Sequence, residues 1–273
     1  MIEFQKKTGT ILLAICTIFV IFPILWIIIT SFKYFRDIMS ESLLFTPTFI
    51  NYIRLFREGD FLKFLLNSVV VSTSATFITV SIAALASYTF SKFKFFGGLD
   101  KYILGWLLFV RMIIPISLAI PFFVIMKALN ILDNYLALIL AYTAINIPFG
   151  MWMLKDFFDT VPEELIDAAR IDGCSDFKAF MKIALPLIAP GLAATAIFIF
   201  ILNWNEFLLA LILTSSPKSM TIPVGMARLS QQYFIKWGEM SAAAAIFVIP
   251  VLIFALLAQK HLVRGLTFGA LKG

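Results

Sequence analysis

Six stretches of this chain carry almost no charge, and that pattern limits the possible folds more than any motif does. Thr8 to Phe32, Phe64 to Ser91, Asn134 to Leu154 and Met240 to Gln259 contain none. Tyr102 to Met126 contains only Arg111, and Ile183 to Pro217 only Glu206. A helix of about 20 apolar residues covers the hydrocarbon layer of a bilayer, so every stretch is long enough to cross one. Across the chain 61% of residues are hydrophobic and 14% charged, where a soluble domain has about 45–50% and about 25%. A soluble interior has no room for that surplus. The expected fold is all-α, a polytopic membrane protein with six transmembrane helices at about 8–32, 64–90, 102–126, 134–154, 187–213 and 240–260.

Lys6 and Lys7 ahead of the first run are what a cleavable signal peptide would show, but the run is too long and no small-x-small site follows it. Taken as a span, it makes the number of crossings even and puts both termini on one side. Lys and Arg decide which side. With both ends cytoplasmic, the inner segments hold Lys6, Lys7, Lys92, Lys94, Lys101, Lys155, Arg170, Lys178, Lys182, Lys260, Arg264 and Lys272, twelve against nine outside. The net charge of +6 therefore reads as membrane orientation and not as a nucleic-acid footprint.

Cys16 lies in the first span and Cys174 in an inner loop, so they are not expected to pair. Neither has a Cys or His at metal-ligand spacing, and His261 at an inner boundary reads as a solvated interfacial side chain. With no Ser/Gly-rich linker or charged tail, residues 1–273 are expected to form one domain. Two outer segments are long, Lys33 to Lys63 and Thr214 to Glu239. In the first, the stretch from Asn51 to Phe56 has the aromatic and basic character of a helix lying flat at the interface.

The inner loop at residues 156–186 carries the densest local signals. Thr160-Val161-Pro162-Glu163 reads as a capping box, acids precede Arg170 as the helix dipole favours, and Gly173 can supply a left-handed stop. Ser175 can cap a second short helix running towards Pro186. Val161, Leu165, Ala168 and Ile171 fall on one face of the first helix, and Glu163, Asp167 and Arg170 on another. The unit is a cytoplasmic helix–turn–helix between helices 4 and 5.

From Asp167 the chain reads Asp-Ala-Ala, three residues, Gly173, nine residues, then Ile183-Ala184-Leu185-Pro186. This resembles the EAA signature of permeases from binding-protein-dependent ABC importers, with Asp167 in place of the usual Glu. Pro148-Phe149, Met151-Trp152, Pro190-Gly191, Trp204-Asn205-Glu206-Phe207 and the closing Arg264-Gly265-Leu266-Thr267 and Gly269-Ala270-Leu271-Lys272-Gly273 narrow the resemblance to carbohydrate importers of the maltose type. It covers nearly the whole chain.

The resemblance implies a permease subunit for a sugar or oligosaccharide in a prokaryotic plasma (inner) membrane. Its implied partners are a second homologous permease, two cytoplasmic ATPase subunits, an extracytoplasmic sugar-binding protein, and membrane lipid. No cofactor would be bound by this chain, with ATP-Mg held on the ATPases. The residues it assigns to ATPase coupling are Glu163, Glu164, Asp167, Ala168, Ala169, Arg170, Asp172 and Gly173, with Gly269, Lys272 and Gly273 in the tail. Ala168 and Ala169 are small enough to let that helix sink into a groove. The loop from Thr214 to Glu239 would meet the binding protein.

An ionisable residue inside a span is a functional candidate by default. Glu206, among Asn203, Trp204 and Asn205, fits a sugar-passing surface, a polar knot between helices, or an acid near the outer interface. Arg111 can pair with an acid or snorkel. Asn67 opens a second span rich in hydroxyls (Ser68, Ser72, Ser74, Thr76, Thr79 and Ser81), where interhelical packing is favoured over pore lining. Asn203 to Glu206, Arg111 and Asn67 are the candidate translocation path. The chain has no GxxxxGK[ST] phosphate loop, so ATP hydrolysis is assigned to partners, and no cluster suits an intramembrane enzyme. A secondary transporter would show paired interrupted helices in two repeats, and no repeat is visible. A glycerol phosphodiester or polyol cargo is the alternative, although only Arg111 would offer such a path a cation.

Overall fold

The computed structural model describes residues 2–42, 44–57, 59–93, 95, 98–230 and 235–269. These fall into two compact units, Met1–Lys63 with Val224–Pro250, and Phe64–Pro223 with Val251–Gly273. Among the described residues the ordered elements are helices. Four are long and apolar enough to cross a membrane alone, Leu12–Ser31, Phe61–Lys92, Tyr135–Asp159 and Trp237–Leu257, and two bent pairs bring the number to as many as six.

In the first unit, α1 (Ile2–Ser31) leaves most side chains of its Leu12–Ser31 stretch exposed, as lipid contact allows. α2 (Phe35–Met39) and α3 (Ile50–Arg57) follow. Asn51 organises the chain here: its side-chain amide donates to the carbonyls of Ser31 at 2.9 Å and Lys33 at 2.8 Å. It lies against Gly238, where a Cβ would come within 2.4 Å of it. Lys33 is buried, donates to Ser42 O at 2.8 Å, and lies about equally far from the rings of Trp26 and Phe45. Those contacts replace water around its charge. α3 is amphipathic as expected, burying Asn51 and Leu55 and exposing Ile53 and Phe56.

In the second unit, α4 (Phe61–Lys92, from Phe64 onward) packs with α7 (Tyr135–Asp159) and α11 (Ala189–Trp204). Gly150 permits the close approach, since a Cβ there would meet Ala83 at 3.0 Å and Ile199 at 3.1 Å. Among the hydroxyls of α4, Ser68, Ser72, Thr76 and Thr79 are buried in the packing, whereas Ser74 is half-buried and Ser81 exposed.

Two expected spans are not continuous helices. The third divides into α5 (Leu99–Met112) and α6 (Pro115–Ala128), bent by 97°. Pro115 forces extended backbone on Ile114, with ψ 127°, because its ring crowds the preceding residue out of the helical region. The fifth ends α11 at Trp204 and resumes as α12 (Leu208–Leu213). Between α7 and α11 come α8 (Glu163–Ile171), α9 (Asp176–Ala179), a π-helical turn at Phe180–Ala184, and α10 (Leu185–Leu187). α13 (Ile222–Ala227) and α14 (Trp237–Gly269) complete the chain.

Candidate functional site

The loop after α7 folds as the expected helical hairpin, closed by Gly173. Gly173 has φ +79°, its N–H donates to Arg170 O at 3.0 Å, and Cys174 N–H donates to Ala169 O at 2.9 Å. That pair of bonds is a Schellman motif, which needs a left-handed residue that glycine adopts without strain. Ser175 caps α9 as expected. The capping box does not form. Thr160 Oγ1 donates back to Phe157 O at 2.7 Å, ending α7, and Pro162 starts α8 with no side-chain cap. The Thr160 N–H is committed to the preceding helix too, donating to Phe157 O at 3.2 Å, so it is not left for Glu163 to reach back to.

Arg170 fastens the hairpin. It donates to Asp167 and to Asp176, each at 2.9 Å, and its guanidinium lies 5.6 Å from the Phe93 ring centre. The two carboxylates, Asp176 first, raise its already high pKa. Asp167 thus reaches Arg170 one turn away, a contact its shorter side chain makes well.

The hairpin is seated on the helices rather than hung from them. Ile166 and Ala169 of α8 and Ala179, Phe180 and Ala184 beyond it share one buried cluster with Tyr88 of α4 and Leu154 and Phe158 of α7. Lys92 Nζ donates to Val161 O at 2.5 Å. The expected apolar stripe therefore splits: Val161 is buried, while Leu165, Ala168 and Ile171 are exposed, Ile171 at 87%. Ala169 is buried against its own chain and is not on the outward face, a correction to its pairing with Ala168. Of the two alanines only Ala168 is exposed. Phe177 and Met181, missed in the sequence, are exposed too, and both line the apolar cleft between α4 and α11. Their four-residue spacing was the available signal. Glu163, Glu164 and Asp172 of the hairpin are exposed. Gly269 ends α14, and Lys272 and Gly273 lie outside the described residues.

The candidate path residues separate into two groups. Arg111 and Glu206 line one cavity of about 370 Å³, with Asn146 as its third polar member. Ligand pockets commonly hold about 300–1,000 Å³. Both helix breaks open on it: Arg111 lies in the last turn of α5, and Glu206 precedes α12. Glu206 accepts from the N–H groups of Leu209 at 2.8 Å and Ala210 at 3.1 Å, so its carboxylate supplies acceptors that α12 lacks at its start. Arg111 lies 5.5 Å from the Phe149 ring centre. A larger cleft of about 620 Å³ is lined mainly by apolar groups such as Phe77, Phe180, Phe200 and Phe254. Its hydroxyls on Thr73 and Ser81 are spent on their own helix, so it offers a polar cargo little to bind.

Asn203, Trp204, Asn205 and Asn67 do not line the polar cavity. Asn203 is a buried knot: it donates to Thr76 Oγ1 at 3.1 Å and accepts from Asn146 Nδ2 at 2.9 Å, joining α4, α7 and α11. Trp204 is buried and stacks on Phe200. Asn205 folds back to Ile201 O at 2.7 Å. We expect Asn203→Leu to lower stability by about 2 kcal/mol, because it orphans buried partners. Asn205→Leu should leave thermal unfolding of the detergent-purified protein unchanged, and equal effects of the two would contradict this assignment.

At the opposite end of the unit from the hairpin, a second polar assembly ties down the loop after α12. Asn67 donates to Pro217 O at 3.1 Å and Met220 O at 2.8 Å and accepts from Tyr135 Oη at 2.6 Å. Asp133, in the turn before α7, accepts from Ser215 N, Ser216 N, Ser216 Oγ and Ser219 Oγ at 2.5–3.0 Å. Burial raises its carboxyl, but those hydrogen bonds prevail and hold it well below the usual carboxylate range.

Residues 81–268 match the family described as binding-protein-dependent transport system inner membrane component. The chain is 38% identical over 271 residues to the trehalose/maltose transport system permease protein MalG of Thermococcus litoralis, covering 97% of this chain and 95% of that one. It is 36% identical over 259 residues to the sulfoquinovosyl glycerol transport system permease protein SmoH of Agrobacterium fabrum, covering 93% and 89%. Its fold is similar to that in a bacterial ABC transporter involved in the import of the acidic polysaccharide alginate, with a TM-score of 0.81, 20% identity and coverage of 94% and 96%. The exposed apolar hairpin, the broken helices around a polar cavity and these matches converge: the chain belongs to the binding-protein-dependent transport system inner membrane component family, the permeases of ABC importers.

Proposed function

We propose that this chain is one of two permease subunits of an importer for a sugar or oligosaccharide, acting as a single transmembrane domain with both termini cytoplasmic. The observation that carries the reading is the uncovered apolar face of Leu165, Ala168 and Ile171 on a hairpin built into the core. An exposed apolar patch flanked by acids suits a protein partner. Here the partner is an ATPase subunit that binds ATP-Mg. Closure of two such subunits moves the hairpin, and the shared cluster passes that motion to α4 and α7 as a rigid body.

The sugar cargo is supported by the relatives, whose names specify trehalose/maltose and sulfoquinovosyl glycerol. Arg111, Asn146 and Glu206 provide donors and acceptors for hydroxyl groups in the cavity. The loop of residues 214–223 faces outward and meets the binding protein. Mass spectrometry of what co-purifies from native membranes tests the assembly. The expected result is an ATPase and a second permease, with a binding protein that takes up sugars in a ligand screen. The chain coming down alone after gentle crosslinking would overturn the reading.

A further inference from the structure

The loop after α12 is held more firmly than a connection requires. Asp133 has φ +56°, a conformation that aspartate and asparagine tolerate better than most residues. From there its two carboxylate oxygens accept four hydrogen bonds from Ser215, Ser216 and Ser219, and its own N–H donates to Leu213 O at 2.9 Å. Ser68 Oγ accepts from Ile222 N at 2.8 Å, and Asn67 takes the carbonyls between. Residues 219–222 are buried, while Ser215 and Lys218 stand exposed at the tip. Charge-assisted hydrogen bonds are the stronger kind, and a loop already ordered loses less entropy when it binds.

We infer that Asp133 is a positioning residue for the docking loop, presenting the Ser215 to Lys218 tip already folded to the binding protein. The inference rests on the reading above that this loop faces that partner. The test uses the whole transporter in lipid nanodiscs with its ATPases and its own binding protein, purified with its bound solute. One readout is the rate of trypsin cleavage after Lys218 without binding protein. The other is the binding-protein concentration giving half-maximal ATPase stimulation. Asp133→Asn keeps the tolerated backbone and loses the charge, and Ser216→Ala with Ser219→Ala removes two donors without touching residue 133.

Both variants are expected to speed cleavage and raise the half-stimulating concentration, each on the order of tenfold, while the maximal rate stays within about twofold. Unchanged cleavage would overturn the positioning role. Faster cleavage with an unchanged half-stimulating concentration would instead overturn the docking reading. A fall confined to the maximal rate would mean general destabilisation and would also overturn the inference.

Discussion

Gly173→Pro is expected to abolish uptake while leaving the chain inserted in the membrane. Proline holds φ near −65° and has no N–H, whereas Gly173 has φ +79° and donates to Arg170 O. The Schellman motif cannot form, so α8 and α9 lose the turn that fixes the exposed Leu165 and Ile171 in place. A penalty of about 3 kcal/mol would cut the properly seated population on the order of 100-fold. Gly173→Asn is the matching control. Asparagine accepts left-handed backbone, and a Cβ at this position meets nothing within 4 Å. Its uptake should stay close to wild type. Wild-type uptake by the proline variant, measured at equal membrane abundance, would show that the hairpin does not couple.

Gly191→Ala is expected to destabilise the fold itself. A Cβ there would sit 2.3 Å from Phe157 Cγ and 2.5 Å from Cδ1, and the root of a packed ring cannot swing aside as a flexible tip can. Overpacking of this kind costs about 1–3 kcal/mol. Phe157→Ala removes the obstruction and should rescue part of the loss, so the two substitutions together should cost less than their sum. Thermal unfolding of the purified variants checks this, and strictly additive losses would place the strain elsewhere. The motif Pro190-Gly191 therefore has a steric meaning: α11 begins against the end of α7.

Local features could be read from residues close in sequence. Gly173 as a left-handed stop, Ser175 as a cap and α3 as an amphipathic helix all depend on neighbours within one or two turns. The break at Pro115 was equally local, because a proline restricts the residue before it, yet the apolar run concealed it. Thr160 shows the opposite case. Its hydroxyl had two legal partners, the helix behind and the helix ahead, and sequence spacing favours neither.

By itself the sequence determined the solvent and the inventory. Charge-free runs partition into lipid whatever they pack against, so α-helical crossings and the helical hairpin between them followed from one-dimensional patterns. Tertiary structure alone decided which side of each helix is used. Ala168 and Ala169 are indistinguishable in the sequence, but only one is left exposed by the packing on α4 and α7. Asn203 needs Thr76, 127 residues away, and Asn67 needs Met220, 153 residues away. A buried polar group must find its partner wherever the fold brings one, and no local pattern records a meeting at that separation.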